Sequence, residues 1–329
     1  MPASTADSTV IERPGQVVHT AQPAPVRRSK SRPQLGAERF RKWWTPLLWV
    51  GPSVAALIAF SIVPFANTVG LSFTDARALG GPVRSVGLDN YRILLESNEF
   101  RNAVFNSILY MLIAVPLLVM LPLLVACLVN GTFRFGGFFR SAFYIPAVAS
   151  TVVIAIVWQM ALRDDGPVNA ILTAVTPIQE AVPFLSDRWL LLFSAIALTV
   201  WKGIGFYMVL YLAALANVDE TLYEAATIDG AGPVRRFFHV TLPGVRPMMY
   251  VVGVLSAIGS LRVFSEIYIL GGPTGGIGGQ DATVPFYIRN VGLAVDGKLG
   301  LGSAASVMLF VLTVGFLLAS QRLGSKAEE

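Results

Sequence analysis

Six apolar runs, each long enough to cross a hydrocarbon core as a helix, alternate with polar segments along the chain. They cover residues 47–73, 103–129, 141–162, 189–216, 248–270 and 302–320. Prolines interrupt the first two runs, at Pro52, Pro64, Pro116 and Pro122, and a spanning helix tolerates these as bends. Residues 1–40 are polar and lack hydrophobic periodicity, so a disordered tail is expected there. Arg39, Arg41 and Lys42, followed by Trp43 and Trp44, suit a basic and aromatic anchor at the membrane surface. The segment 74–102 contains GLDNYRILLES, which reads as a short surface helix, whereas 163–188 shows little periodicity. The glycines of GGPTGGIGGQD predict a flexible turn, followed by a short helix near 284–294. The pattern as a whole predicts an all-α integral membrane protein, with six spans over 41–322 and tails at 1–40 and 323–329.

One polar interruption carries two short helix patterns of its own: DETLYEAATIDGAGPVRRFFHVTLPGVRP, residues 219–247. Asp219 is suited to cap a helix bearing Leu222, Ala225, Ala226 and Ile228. Gly230 can take the left-handed conformation that closes it, and Pro233 suits the first turn of the next. That second helix carries Phe237 and Phe238 and is expected to end at Leu242-Pro243. The outcome is a helix-turn-helix knuckle outside the bilayer. Its alanines and glycine leave a low surface, Glu224 can accept hydrogen bonds from a partner, and the two phenylalanines offer apolar anchors.

Composition agrees with a membrane protein and removes other classes. Hydrophobic residues make up 54% of the chain, charged residues 14%, and the mean hydropathy is +0.63. The net charge of +5 is carried at the two ends and in polar loops, which argues against nucleic-acid binding. With the tail inside, the inner segments hold fifteen Lys and Arg (eight, two, three and two) against eight outside (four, two and two). That excess predicts cytoplasmic termini and a cytoplasmic knuckle. The single cysteine, Cys127, excludes an intrachain disulfide. No phosphate-cradling glycine loop precedes a helix, and His19 and His239 lack metal-ligand spacing, so no nucleotide or metal site is expected on this chain.

Glu224-Ala225-Ala226, Gly230 and Leu242-Pro243 resemble, in residue and spacing, the EAA loop of ATP-binding-cassette importer permeases. PSVAALIAFSIVPFANTVGLSFTD, GLDNYRILLES, FFRSAFYIPAVAS and FSEIYILGGP extend the resemblance over about residues 45–322, to the maltose- and glycerol-phosphate-type sugar importers. The resemblance implies the fold of a type I importer permease with cytoplasmic coupling helices, in the plasma (inner) membrane of a prokaryote. It further implies a second, homologous permease, a cytoplasmic ATPase dimer holding ATP and Mg, an extracytoplasmic solute-binding protein, and a sugar-type substrate. This chain would then be a non-catalytic subunit. Glu224, Ala225, Ala226, Asp229, Gly230, Phe237, Phe238, Leu242 and Pro243 would form its contact with the ATPase.

Charges inside spans mark the candidate solute path. Lys202 lies mid-span, with Phe206 one turn on and Gly203 opening room beside them, a cation and aromatic pairing suited to a polyhydroxylated or phosphorylated ligand. Lys202 could equally pair with a carboxylate or carbonyl of another span. In the fifth run, Ser256 and Ser260 share a stripe with Val263, while Arg262 and Glu266 stand four residues apart. The serines, with Arg262, could line the path, or they could pack helices while Arg262 and Glu266 neutralise each other. A secondary transporter driven by an ion gradient is the competing reading, although no internal repeat or intramembrane acidic pair supports it.

Overall fold

Helices form every regular element among the residues described by the computed structural model, which are 45–130, 136–177, 180–294 and 297–325; the one β contact is an isolated bridge between Thr74 and Ser85. The tail at 1–40, the anchor at 39–44 and the last residues, 326–329, lie outside the described residues. The chain divides into two units, Met1–Leu57 and Ile58–Glu329. The first contributes α1 (Thr45–Leu57), which carries Pro52.

The second unit opens with a π-helical turn, Ile58–Ile62, and α2 (Val63–Leu71). α3 (Asp89–Glu96) is the surface helix expected from GLDNYRILLES, and α4 (Asn98–Val129) follows, with Ser97 accepting from the Phe100 amide at 3.2 Å. The cap starts α4 five residues before the apolar run, so its 32 residues reach about 48 Å and project beyond a hydrocarbon core. Pro116 and Pro122 sit inside it without breaking it. α8 (Arg188–Leu215) is capped by Asp187, which accepts from the Trp189 and Leu190 amides. α15 (Leu299–Ser325) packs on α2 through the Phe65 and Phe310 rings, 4.8 Å apart. Among the described residues, the runs Leu48–Leu71, Asn98–Val129, Arg188–Leu215 and Leu299–Arg322 are long and apolar enough to span unaided.

The third and fifth expected spans are broken. The third divides into α5 (Gly136–Val148) and α6 (Thr151–Leu162), with a bend of 97° between α5 and the stretch Thr151–Val175. Pro146 supplies no amide to the last turn of α5, and Ser150 takes an extended ψ of 128°. The fifth divides into α12 (Arg246–Leu261) and α13 (Ser265–Leu270), where Phe264 leaves the helical region at φ −138°. Arg262 and Glu266 are therefore not neighbours on one helix, contrary to the sequence reading. The segment read as aperiodic holds a further helix, α7 (Pro167–Val175), and the helix expected near 284–294 is α14 (Val284–Leu293).

α4 and α8 form the centre, with α6 and α13 packed against them. Small residues bring these helices close, as lipid-embedded packing requires. Tyr110, fully buried on α4, shares hydrogen bonds with the Ala195 carbonyl (2.8 Å) and the Thr199 hydroxyl (2.7 Å) of α8. Gly205 permits a close approach of α5 to α8. A Cβ there would lie 2.1 Å from the Phe143 carbonyl oxygen of α5.

The glycine-rich loop is a hydrogen-bonded structure rather than the flexible turn expected from its composition. Asn102 and Asn106 of α4 donate to the Gln280 carbonyl at 2.8 and 2.7 Å, and Arg188 in turn donates to Asn102 at 2.9 Å. Gly276 adopts a left-handed φ of 83°, and a Cβ on it would meet the buried Asp281 carboxylate at 2.1 Å.

Candidate functional site

The knuckle is built largely as its sequence dictates. Asp219 accepts from the Thr221 amide at 2.9 Å and starts α9 (Glu220–Ile228); that hydrogen bond holds its carboxyl below the usual carboxylate range. Gly230, at φ 71°, ends α9: its amide donates to the Thr227 carbonyl (3.0 Å) and the Ala231 amide to that of Ala226 (2.8 Å). Pro233 then opens α10 (Pro233–Arg236). The Tyr223 and Thr241 hydroxyls share a 3.0 Å hydrogen bond that closes the two halves on each other.

Two details depart from expectation. Leu242-Pro243 does not end the second helix. A π-helical turn, Phe237–Thr241, widens the backbone so that the Leu242 amide reaches the Phe237 carbonyl, and the chain passes Pro243 in a last turn, α11 (Leu242–Gly244). The corner falls at Val245 (φ −99°, ψ 4°), where the bend into α12 is 70°. Phe237 and Phe238 do not act together: Phe237 packs inward on the cluster of Leu123, Met208, Tyr211 and Val252, and Phe238 stays 55% exposed. Glu224, Ala225 and Asp229 are exposed and Ala226 is half-buried. A groove of about 300 Å³ between the halves is lined by Ala225, Ala226, Asp229 and, across it, Arg235, Arg236 and His239.

Deeper in the bundle, Lys202, Gly203 and Phe206 of α8 face Ser256 and Ser260 of α12 across a cavity of about 260 Å³. The Lys202 ammonium donates to the Thr151 hydroxyl of α6. Ser256 donates to the Gly253 carbonyl at 3.1 Å, while the buried Ser260 hydroxyl has no hydrogen-bond partner among the described residues. Gly203 does not open room as expected. A Cβ there would come within 2.5 Å of Leu118 Cδ2, so the space is taken by α4. Arg262 is separated from this group and lines a different groove with Phe65, Thr68 and Ser306.

The residue that sequence reasoning assigned elsewhere is Glu266. It faces the same cavity as Lys202, although no ion pair within 4.0 Å joins them. A carboxylate inside an apolar run was the available signal; continuing α12 through Arg262 aimed it at the wrong partner. Cation, carboxylate, hydroxyls and an aromatic ring thus surround one cavity, an arrangement able to hydrogen-bond a polyhydroxylated solute and stack on its apolar face.

Comparison with known proteins agrees with this architecture. Residues 93–327 match the family described as binding-protein-dependent transport system inner membrane component. The lactose transport system permease protein LacF of Rhizobium radiobacter is 31% identical over 274 residues, 82% of this chain and 91% of that protein. The arabinooligosaccharides transport system permease protein AraP of Halalkalibacterium halodurans is 34% identical over 272 residues, 81% of this chain and 83% of that one. In fold, a chain from the crystal structure of a bacterial ABC transporter involved in the import of the acidic polysaccharide alginate superposes with a TM-score of 0.75 at 24% identity, covering 87% of this chain and 96% of that one. The chain belongs to the family of binding-protein-dependent transport system inner membrane components.

Proposed function

We propose that this chain passes a sugar or sugar-like solute into a prokaryotic cell by alternating access. The solute is delivered by an extracytoplasmic binding protein, and ATP with Mg is hydrolysed on a separate cytoplasmic ATPase dimer. A second, homologous permease completes the path. Relatives named for lactose and for arabinooligosaccharides support a carbohydrate substrate. The six-span domain covers 41–322 with both termini cytoplasmic, a reading supported by the excess of Lys and Arg in the inner segments.

One observation carries the reading. The helices that enter and leave the knuckle, α8 and α12, are the same two that present Lys202, Ser256 and Ser260 to the cavity. A push on the exposed face of Glu224, Ala225, Asp229 and Phe238 would therefore move both cavity walls. Reconstitution tests it: uptake into proteoliposomes should require the ATPase subunits and ATP and should persist without an ion gradient. Uptake driven by a gradient with the ATPase left out would establish the competing secondary transporter. Orientation is tested in a Cys127→Ser background, where Ser186→Cys should react with an impermeant thiol reagent from outside and Thr221→Cys should not.

A further inference from the structure

Arg262 is the spanning charge that the cavity does not use. Its amide closes α12 on the Gly259 carbonyl at 3.1 Å, and its side chain is exposed. Among the described residues the guanidinium has no carboxylate within 4.0 Å and no hydrogen-bond acceptor. It opens onto a groove of about 390 Å³ between α2, α12 and α15. Phe65 and Phe310 form an apolar wall of that groove, their rings 4.8 Å apart. Thr68, Ser306 and Thr313 also line it, but their hydroxyls donate back to the Pro64, Gly302 and Leu309 carbonyls at 2.9, 2.9 and 2.8 Å. Nothing in the groove supplies negative charge. A planar fork of five donors in apolar surroundings calls for an anion with several oxygens.

The depth of the groove narrows the choice. α12 has 16 residues, so Arg262 stands about 24 Å along the helix from Arg246. Ser306 stands sixteen residues before Arg322 on α15, which gives about the same height by a separate helix. In a hydrocarbon core about 30 Å thick, that height leaves the guanidinium within a side chain's length of the boundary opposite the knuckle.

We propose that this groove holds a phospholipid from the leaflet opposite the knuckle, with its phosphodiester on Arg262 and an acyl chain along Phe65 and Phe310. Charge complementarity carries the assignment: a membrane cation without a protein anion meets the one molecule that brings both a phosphate and an apolar chain to that depth. The assignment is independent of the solute-path reading. It is tested on the assembled complex, with its second permease and ATPase subunits, delipidated and then offered phosphatidylglycerol. Native mass spectrometry should show that wild type and Arg262→Lys retain a phospholipid that Arg262→Gln loses. A photoreactive phospholipid should label the peptide containing Leu309 and Phe310 in the wild type, a readout that stands even where Arg262→Gln fails to assemble. Equal lipid retention by Arg262→Gln, or an unlabelled α15 peptide, would overturn the proposal. So would a crosslink from Arg262→Cys to the second permease, which would make the groove a protein interface.

Discussion

The Lys202 ammonium donates a hydrogen bond to the Thr151 hydroxyl, tying the middle of α8 to the first residue of α6, just past the 97° bend. A hydroxyl satisfies one of three ammonium donors and neutralises none of the charge. Lys202 thus keeps both donors and charge for the cavity. Lys202→Met should lower uptake roughly tenfold with the complex intact. Thr151→Val should lower thermal stability by about 1 kcal/mol and spare most uptake, because it removes a hydrogen bond and leaves the cation. Equal loss of uptake in the two variants would make Lys202 a structural tie.

Gly230 joins α9 to α10 at a φ of 71°, where a side chain is strained whatever the space around it. Open space surrounds the position, so strain rather than collision is the effect of substitution. Gly230→Val should cost about 1–2 kcal/mol locally and splay the two halves of the knuckle. Membrane insertion should be unchanged, since the spans set it. Capture of the ATPase subunits, or substrate-stimulated hydrolysis, should fall; normal values of both would remove Gly230 from the coupling surface.

Gly203 and Gly205 stand two residues apart on α8 and should respond differently to alanine. A Cβ at 205 meets backbone of α5, at 2.1 Å from the Phe143 carbonyl and 2.8 Å from Tyr144 Cα, and backbone cannot step aside. Gly205→Ala should destabilise by about 1–3 kcal/mol. At 203 the obstacle is the far end of the Leu118 side chain, which can rotate. Gly203→Ala should melt near wild type. Melting temperatures in detergent that fall in the reverse order would refute this packing.

Asp281 is 1% exposed beneath the glycine-rich loop, and burial pushes its carboxyl up to about 7, against a lowering by Arg188 and a further rise from Asp187. A carboxyl raised in the folded state contributes stability that is full below its unfolded value of 3.8 and is lost as pH rises through about 7. Between pH 5 and pH 8 the loss is on the order of 2 kcal/mol. Protection factors for amide exchange across 272–282, with the intrinsic pH dependence of exchange divided out, should fall over that range in the wild type and stay level in Asp281→Asn. A variant that keeps the pH dependence would assign it to another group.

What could be read from sequence was whatever depends on local chemistry. Asp219 as a cap, Gly230 as a left-handed closure and Pro233 as a first turn each follow from the residue and its immediate neighbours, and each was found in place. The four runs that form unbroken helices were legible for the same reason, since a run of apolar side chains needs no partner to be recognised. Direction was not. Inside a bilayer both sides of a bend are apolar, so the turns at Ser150 and Phe264 leave no mark in hydropathy. Neither could the residue type alone say that Phe237 turns inward while Phe238 does not, or that Gly203 is occupied by Leu118. Those facts belong to pairs of elements. The misplacement of Glu266 and Arg262 follows from one unseen break.

That break has a mechanical meaning. Where α12 gives way to α13, the Val263 carbonyl accepts from the buried Thr283 hydroxyl at 2.7 Å, and the Arg262 and Val263 amides close on Gly259 and Ser260. The joint is already finished in hydrogen bonds. Ser256 and Ser260 stand on one side of it and Glu266 on the other, so the cavity wall is two helices meeting at a hydrogen-bonded joint rather than one beam. If the transport cycle proposed above tilts the two helices about this joint, the chamber narrows without unwinding a helical turn, and the displacement breaks no backbone hydrogen bond.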